Sequence, residues 1–302
     1  MKNGVINIYK ERGYTSHDVV AKLRGILKQK KIGHTGTLDP DAQGVLPVCL
    51  GKATKLCDLL TDRDKTYETV LLLGQSTDTQ DVTGTITTRA EVSVTEEQVQ
   101  KVIKSFVGPY EQIPPMYSAL KVNGQKLCDL ARAGKEVERK ARTVTIYEIQ
   151  ILDLNLPRVR MSVSCSKGTY IRTLCHDIGE ALGCHGCMET LLRTKVGQFL
   201  LKDSVRLSQV EAFREERELE KILLPVDMVF AALPEVHLKK DSARFGYNGN
   251  PFSKADLKES ELFEGEVRVY DDKEDFIGIY AYRSEQRQYR LVKMFYDASE
   301  TI

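Results

Sequence analysis

One aspartate in the sequence stands in a setting that could make it a nucleophile or a base. Asp39 lies within residues 33–55, where four glycines and two prolines interrupt any regular period, so the first half of this stretch is predicted to be a shaped loop. Pro40 pushes Asp39 towards an extended conformation, and the glycines would let a substrate come close. Aspartate before proline is also typical of a simple turn, and residue chemistry alone favours the turn.

Three other polar side chains lie at the ends of predicted elements. Tyr67 lies at the start of a predicted strand over residues 65–74, and Tyr170 and Arg172 lie where a predicted helix running to Gly183 begins. An arginine can hold a carboxylate through two parallel hydrogen bonds and keep it ionised. By pattern alone, a tyrosine on a strand is most often a packing residue and such an arginine is more often a surface residue.

A pair of cysteines with Cys-x-x-Cys spacing, Cys184 and Cys187, could indicate zinc, since Cys175 and His176 precede it. The pair has no second clean pair to complete a site, and no His-x-Glu motif accompanies it as in zinc deaminases. The sequence therefore predicts no metal site. Seven cysteines form an odd set without the spacing of a disulfide framework, which fits a reducing cytoplasm.

The length of 302 residues predicts one large and one small domain, and 41% hydrophobic residues can fill a sizeable core. No segment approaches the roughly 20 apolar residues of a membrane span, and the N-terminus lacks the apolar run of a secretory signal. The Gly51-Lys52 pair lacks the upstream glycine of a phosphate-binding loop and is followed by Ala53, which argues against a nucleotide phosphotransferase.

The net charge of +1 conceals an uneven distribution of charged residues. Residues 1–60 carry 10 basic and 5 acidic side chains, and residues 110–200 carry 13 and 9. Residues 61–109 carry 5 and 8, and residues 201–302 carry 16 and 21. Nucleic acid binding needs a local positive face, and the two positive blocks hold most of the candidate residues. A solvated helix face would give the same count.

Local patterns predict the elements that must position these residues. Thr15 with Asp18, and Thr95 with Gln98, have the spacing of capping boxes, so helices are predicted to begin there. Further predictions are a hairpin at 123–124, strands over 142–152 and 158–166, a charged amphipathic helix over 208–224, and strands over 265–270, 276–282 and 289–295.

The order of these motifs resembles that of the TruB-type tRNA pseudouridine synthases. The match in the loop and just after it comprises His34, Gly36, Leu38, Asp39, Pro40, Gly51, Thr54 and Lys55. Further matches are the Lys-x-Tyr segment at Tyr67, the polar run over 77–84, the segment over 115–121, Tyr170 with Arg172, and the segment over 191–199. Two positions depart from the pattern, since Glu11 replaces a proline and Leu192 replaces an arginine.

The resemblance implies a role for each matching residue. Asp39 would be the nucleophile, Arg172 its partner, and Tyr67 would stack on the target base. Residues implied to bind the substrate are Lys10, His34, Lys55, Tyr170, Leu191 and Arg193. The implied fold is α+β, with a mixed, largely antiparallel catalytic sheet and flanking helices over residues 1–232. A small PUA-like β domain would follow over residues 236–302, whose acidic balance makes it a poor independent RNA binder.

The implied reaction is isomerisation of uridine 55 in the T-loop of tRNA, with the base turned out of its stack. His34 is the candidate to fill the vacated place. Asp39 would attack either C1′ of the sugar or C6 of the base, and the sequence does not choose between them. No cofactor is expected, because bond energy is exchanged within one nucleotide.

Two other classes of function compete with this enzyme. One is a non-catalytic RNA-binding protein on the same scaffold, and the other is a zinc-dependent RNA enzyme. The intact set of Asp39, Tyr67, Tyr170 and Arg172 favours the synthase. A related class works within guide-RNA complexes, but the compact length and the lack of basic tails favour a stand-alone enzyme. The expected protein is a cytoplasmic monomer that binds tRNA without a guide RNA or a membrane.

Overall fold

A ten-stranded sheet forms the centre of the larger part of the chain, in a computed structural model that describes residues 1–297. Residues 298–302 of the predicted C-terminal domain lie outside the described part. The strands up to residue 224 are β1 (Gly4–Lys10), β2 (Ile32–His34), β3 (Gln43–Leu50), β4 (Lys65–Leu73), β5 (Gln75–Thr77), β6 (Ile86–Arg89), β7 (Gly108–Gln112), β8 (Lys121–Val122), β9 (Gln125–Lys126), β10 (Arg142–Asn155), β11 (Arg158–Cys165), β12 (Gly186–Val196), β13 (Phe199–Leu200) and β14 (Leu223–Leu224).

The strand order of the large sheet is β14-β1-β3-β12-β4-β11-β10-β7, with β2 paired to β3 and β13 paired to β12. The pairs β5–β6 and β8–β9 form two small separate ribbons. Within the large sheet β12 and β3 are parallel, and the other pairings are antiparallel. The predicted α+β class with a largely antiparallel catalytic sheet is therefore confirmed.

Seven α-helices accompany the sheets within the described residues. They are α1 (Ser16–Leu27), α2 (Cys57–Thr61), α3 (Glu96–Ser105), α4 (Leu127–Arg132), α5 (Ile171–Ala181), α6 (Leu207–Glu215) and α7 (Ala243–Tyr247). Both predicted capping boxes are confirmed, because the Thr15 and Thr95 side chains accept from the backbone amides of Asp18 and Gln98, and the threonine amides donate in return to the Asp18 and Gln98 side chains. Short 3₁₀ turns lie over Gly51–Leu56, Leu201–Asp203, Leu219–Lys221, Asp227–Phe230, Lys240–Ser242 and Lys254–Asp256.

The predicted helix over 208–224 is wrong in its second half, since α6 ends at Glu215. Arg217 adopts a left-handed φ of 62°, and the amide of Glu218 donates to the carbonyl of Phe213 at 2.8 Å. This is the Schellman arrangement that closes a helix, here without the glycine that usually signals it. The chain then turns so that Leu223–Leu224 can pair with the outer edge of β1.

Apolar clusters cover the sheet where the helices pack. One contains Leu71, Met161 and Ile178 and lies between the sheet and α3 and α5. Another contains Ile8, Leu23 and Val210 and lies under α1 and α6. Strand β4 alternates buried and half-buried residues, as a strand covered unequally on its two faces should.

The C-terminal part is a four-stranded sheet in the order β15-β16-β17-β18, formed by β15 (Glu235–His237), β16 (Glu266–Tyr270), β17 (Phe276–Arg283) and β18 (Gln288–Met294). The predicted β character of this region is confirmed. Ile279 and Phe295 share one buried cluster with Val5 and Val45 of the central sheet, so the two parts are joined by apolar packing. No helix within residues 1–297 is both long and apolar enough to cross a membrane.

Candidate active site

The segment between β2 and β3 places Asp39 between two buried anchors. Leu38 is 4% exposed and Ala42 is 2% exposed, and both pack in the cluster under α5. The amide of Leu38 donates to the Ser16 hydroxyl at 2.9 Å, which ties the loop to the start of α1. The amide of Ala42 donates to the Asp39 carbonyl at 3.1 Å, so the segment is a turn as well as a shaped loop. The predicted loop therefore contains a turn at Asp39, and the role of Asp39 as a nucleophile stays a prediction.

Arg172 is the partner of Asp39, as the resemblance implied. Its Nε lies 3.2 Å from Oδ2 of Asp39, and the arginine side chain is 7% exposed whereas that of Asp39 is 42% exposed. The pair is not bidentate, because the other two guanidinium nitrogens donate to the carbonyls of Thr79 at 3.1 Å and Tyr117 at 2.7 Å. Three loops that are distant in sequence are thus gathered around one arginine near the start of α5.

The electrostatic setting of Asp39 differs from the expectation that its partner would simply favour ionisation. Burial raises the pKa of the Asp39 carboxyl, Arg172 opposes this, and the Asp81 carboxylate adds to it. Although the side chain is open to solvent on one side, the surrounding protein sets the direction. The fold therefore disfavours the ionised form of the Asp39 carboxyl.

Asp81 is a site residue that our reasoning from the sequence did not single out. Its Oδ2 lies 3.8 Å from Nη1 of Arg172, so two carboxylates share one guanidinium. Its Oδ1 accepts from the Thr83 amide at 2.9 Å and the Thr79 hydroxyl at 2.8 Å, which orients it. The polar run over 77–84 was the available signal, since it resembled a family motif and contains this aspartate.

Tyr67, Tyr170 and Leu191 lie around the same place. Tyr67 is 8% exposed and belongs to the apolar cluster that contains Leu38, and Leu191 packs against that cluster. Tyr170 precedes α5, where its amide donates to Gln112 Oε1 at 2.7 Å and its carbonyl accepts from Nε2 at 3.0 Å. Burial raises the pKa of both phenols, so both are neutral at physiological pH.

Lys10 and Arg193 are placed differently from the substrate contacts predicted for them, because neither cation is open to a ligand. Lys10 is fully buried, and its Nζ donates to the carbonyls of Glu11, Pro40 and Ala42 at 3.2, 3.1 and 2.6 Å. Burial lowers the pKa of Lys10 to about 8. Arg193 is 1% exposed. Both residues support the Asp39 loop from beneath.

His34 and Lys55 lie on opposite ends of the motif. The ring of His34 stands edge-on to that of His17, with centroids 6.2 Å apart, and its Nδ1 is buried without a hydrogen-bond partner among the described residues. Burial lowers the pKa of His34, so the ring is neutral. Lys55 is exposed and its Nζ donates to the carbonyl of Met294 in β18 at 3.0 Å, so its contact is with the C-terminal sheet rather than with the loop.

The Cys-x-x-Cys pair lies in the core. Cys184 is 3% exposed and Cys187 is fully buried, and burial raises the pKa of both thiols. Within residues 1–297 no three His, Cys, Asp or Glu side chains are grouped as metal ligands. The role of this pair in the chemistry stays a prediction that solution measurements must test.

Comparison with known proteins adds a second line of evidence. The family description "TruB family pseudouridylate synthase (N terminal domain)" matches residues 24–171. Two C-terminal TruB descriptions match residues 172–231 and 234–287. The chain is 55% identical to the tRNA pseudouridine synthase B of Lachnoclostridium phytofermentans over 97% of this chain and 99% of that protein. It is 44% identical to the enzyme of the same name in Clostridioides difficile over 92% of this chain and 93% of that protein.

Two solved structures share the fold. One is a Cbf5-Nop10-Gar1 complex, with a TM-score of 0.73 and 28% identity over 98% of this chain and 86% of that one. The other is an H/ACA RNP bound to a substrate RNA containing 2′-deoxyuridine, with a TM-score of 0.72 and 26% identity over 97% and 85%. Sequence motifs, fold and relatives agree, and the chain belongs to the TruB family of pseudouridylate synthases.

Proposed function

We propose that this chain isomerises uridine 55 in the T-loop of tRNA to pseudouridine, with Asp39 as the nucleophile. The observation that carries the proposal is the 3.2 Å contact between Arg172 and Asp39, at the centre of the residues that the family motifs mark. Relatives aligned over nearly the whole chain carry the name tRNA pseudouridine synthase B, and this supports tRNA as the substrate.

The target base must leave its stack to reach Asp39, which costs a few kcal/mol. His34, whose ring is neutral and whose Nδ1 has no hydrogen-bond partner within residues 1–297, is proposed to fill the place that the base leaves. Tyr67 is proposed to stack on the base and Leu191 to line its pocket. Both belong to or pack against the apolar cluster beneath the loop.

The proposed chemistry breaks the N1–C1′ bond and forms the C5–C1′ bond within one nucleotide. Asp39 attacks C1′ or C6, the base rotates, and C5 joins the sugar. The proton on C5 is then lost while N1 gains one, so the atoms balance without a cofactor. Arg172 stabilises the negative charge of Asp39 before the attack and again when the carboxylate is released. Asp81 holds the Arg172 side chain in place.

The protein is further proposed to act as a stand-alone cytoplasmic monomer without a guide RNA. The length match to the synthases of the bacterial relatives supports this, whereas the solved neighbours are named as complexes with other proteins or with RNA. We assign residues 1–232 to catalysis and residues 236–302 to a PUA-type RNA-binding domain. The four-stranded sheet that begins at Glu235 supports this boundary.

The test is incubation with a T-stem-loop transcript, followed by nucleoside analysis for pseudouridine. A matched transcript with cytidine at the target position is the control. Pseudouridine in the first transcript alone supports the proposal. Tight binding without product would instead indicate an RNA-binding protein, and product that requires a second RNA would indicate a guided enzyme.

A further inference from the structure

Arg193 lies where three strands of the central sheet meet the Asp39 loop. On β12 it stands opposite Tyr67 of β4 and also pairs with Gly44 of β3. Gly44 has a φ of +106°, and a Cβ at this position would collide with the Arg193 carbonyl. The backbones therefore approach as closely as a glycine permits. This junction sets the spacing between the strand of Tyr67 and the strand that follows the loop.

The guanidinium of Arg193 binds the backbone on both sides of the Asp39 loop. Its Nε donates to the Val45 carbonyl at 2.7 Å, and its Nη2 donates to the Gly36 carbonyl at 3.5 Å. Tyr67 stands directly opposite Arg193 in the antiparallel strand pair, so the two side chains lie next to each other on one face of the sheet. Because arginine can only donate hydrogen bonds, the phenol oxygen is the acceptor that Tyr67 offers to it.

The charge of Arg193 has no matching carboxylate. Its side chain is 1% exposed, and none of the ion pairs among residues 1–297 includes it. Burial lowers the pKa of the Arg193 guanidinium. A buried cation bound only to neutral oxygens is costly, and a packed apolar side chain would serve the core as well. A role at the site would account for its presence.

We infer that Arg193 is a positioning residue whose guanidinium holds the Tyr67 ring and the Asp39 loop at one spacing, so that phenol and carboxylate face the same nucleotide. The inference rests on the proposed function, in which those two residues act on that nucleotide. Lys10 supports the loop from β1 through the carbonyls of Pro40 and Ala42, whereas Arg193 contacts the loop at Gly36 and stands opposite Tyr67. Misplacing a reacting group by about 1 Å can cost about 10²-fold in rate.

Kinetics of two variants test this role. Arg193→Met removes the charge at similar volume. Arg193→Lys keeps the charge but loses the planar guanidinium, with its several donors in fixed directions. The single-turnover rate at saturating T-stem-loop RNA should fall about 10²-fold for the methionine variant and less for lysine. The Kd at fixed salt should change less than about threefold. Arg160→Met is the matched control, because Arg160 lies on neighbouring β11, is 55% exposed and pairs with Glu68.

Two outcomes would overturn the inference. If the variants raise Kd and reduce its salt slope by about one while the rate is unchanged, Arg193 contacts a phosphate. If the rate per folded active site equals that of the wild type, Arg193 serves the fold alone.

A further variant keeps the inference testable if both Arg193 variants fail to fold. Tyr67→Phe removes the oxygen that the inference assigns as an acceptor for the buried Arg193 guanidinium opposite it, so Tm should fall. Tyr147→Phe is its control, because Tyr147 is 49% exposed and its hydroxyl meets Asp64 at 3.1 Å. Equal Tm for Tyr67→Phe and the wild type contradicts a phenol–guanidinium bond and the inference with it.

Failure of the proposed function can be told apart from failure of this inference. In protein labelled with 3-fluorotyrosine, the ¹⁹F resonance missing from Tyr67→Phe belongs to Tyr67. It should shift in Arg193→Lys and stay in place in Arg160→Met, whether or not the wild type forms pseudouridine. An unshifted Tyr67 resonance in folded Arg193→Lys contradicts the inference.

Discussion

The C-terminal sheet and the candidate active site hold buried charge in different ways. In the C-terminal sheet Asp271 is 1% exposed, and its two oxygens are matched by donors. Its Oδ1 accepts from the amides of Lys273 and Asp275 at 2.8 and 2.9 Å, and its Oδ2 accepts from the Tyr247 hydroxyl at 2.6 Å. Each bond helps to stabilise the turn after β16.

In the candidate site the charges are not matched in this way. Arg193 has only neutral acceptors, and Asp39 shares its arginine with a second carboxylate. Burial disfavours the charged form of Asp39. We conclude that polar groups stabilise the fold in the C-terminal sheet, while the site keeps charges that the fold alone would avoid.

The largest effect should come from Asp39→Asn, which removes the nucleophile and nearly keeps its shape. Turnover should fall by at least about 10⁴-fold, while tRNA binding at fixed salt changes little because phosphate contacts dominate affinity. Pseudouridine formation and Kd are measured on the same preparation. Clear product from folded Asp39→Asn, free of wild-type enzyme, would falsify the nucleophile assignment.

Arg172→Lys should be severe but partial, with a loss of about 10–100-fold in rate. Lysine keeps the charge near Asp39 but cannot also donate to the carbonyls of Thr79 and Tyr117. Single-turnover rates with saturating enzyme measure the change. A rate equal to that of the wild type would show that charge alone is enough and that the gathered loops are incidental.

Asp271→Asn should reverse the pattern and affect stability rather than activity. One oxygen becomes an amide nitrogen, so buried donors lose an acceptor and the free energy of unfolding should fall by about 1–3 kcal/mol. Denaturant unfolding gives the stability, and the rate of the folded fraction should remain that of the wild type. A variant that is as stable as the wild type but inactive would contradict the conclusion that Asp271 serves stability and not activity.

A smaller effect is expected on the stability of Asp39→Asn itself. The folded pKa of Asp39 is raised, so wild-type stability from this group is present at low pH and is lost as pH rises through that pKa. Asparagine does not ionise, so the Asp39→Asn variant should have a higher Tm than the wild type at pH 7. The increase should be less than about 2 °C, because the Asp39 side chain is 42% exposed. The advantage should shrink at acid pH, where the wild-type carboxyl is protonated, and a Tm below that of the wild type at pH 7 contradicts the assigned direction.

No effect is expected from chelation. Cys184 and Cys187 lie in the core, and within residues 1–297 no three His, Cys, Asp or Glu side chains are grouped as metal ligands. Activity after EDTA treatment and the zinc content of the purified protein test this. Stoichiometric zinc together with activity lost on chelation would overturn it.

Local patterns in the sequence are enough to predict the short elements of this protein. The capping boxes at Thr15 and Thr95 and the hairpin at 123–124 are confirmed, because caps and tight turns depend on residues within about four positions. The β character of the C-terminal region is also confirmed, because short strand-forming runs between polar turns are likewise a local pattern. The motifs also pointed to Asp39 and Arg172 as partners, although only the resemblance connected residues so far apart in the chain.

Which charges are buried, and what they bind, follows only from the packing of segments that are distant in the chain. Arg193 and Lys10 look like surface cations in sequence, yet the packing of distant strands encloses both, and Arg193 donates to a carbonyl 148 positions away. The sharing of Arg172 between Asp39 and Asp81 and the end of α6 at Glu215 likewise depend on non-local contacts. Burial and the desolvation of charge arise only when separate segments pack together, so no local pattern encodes them.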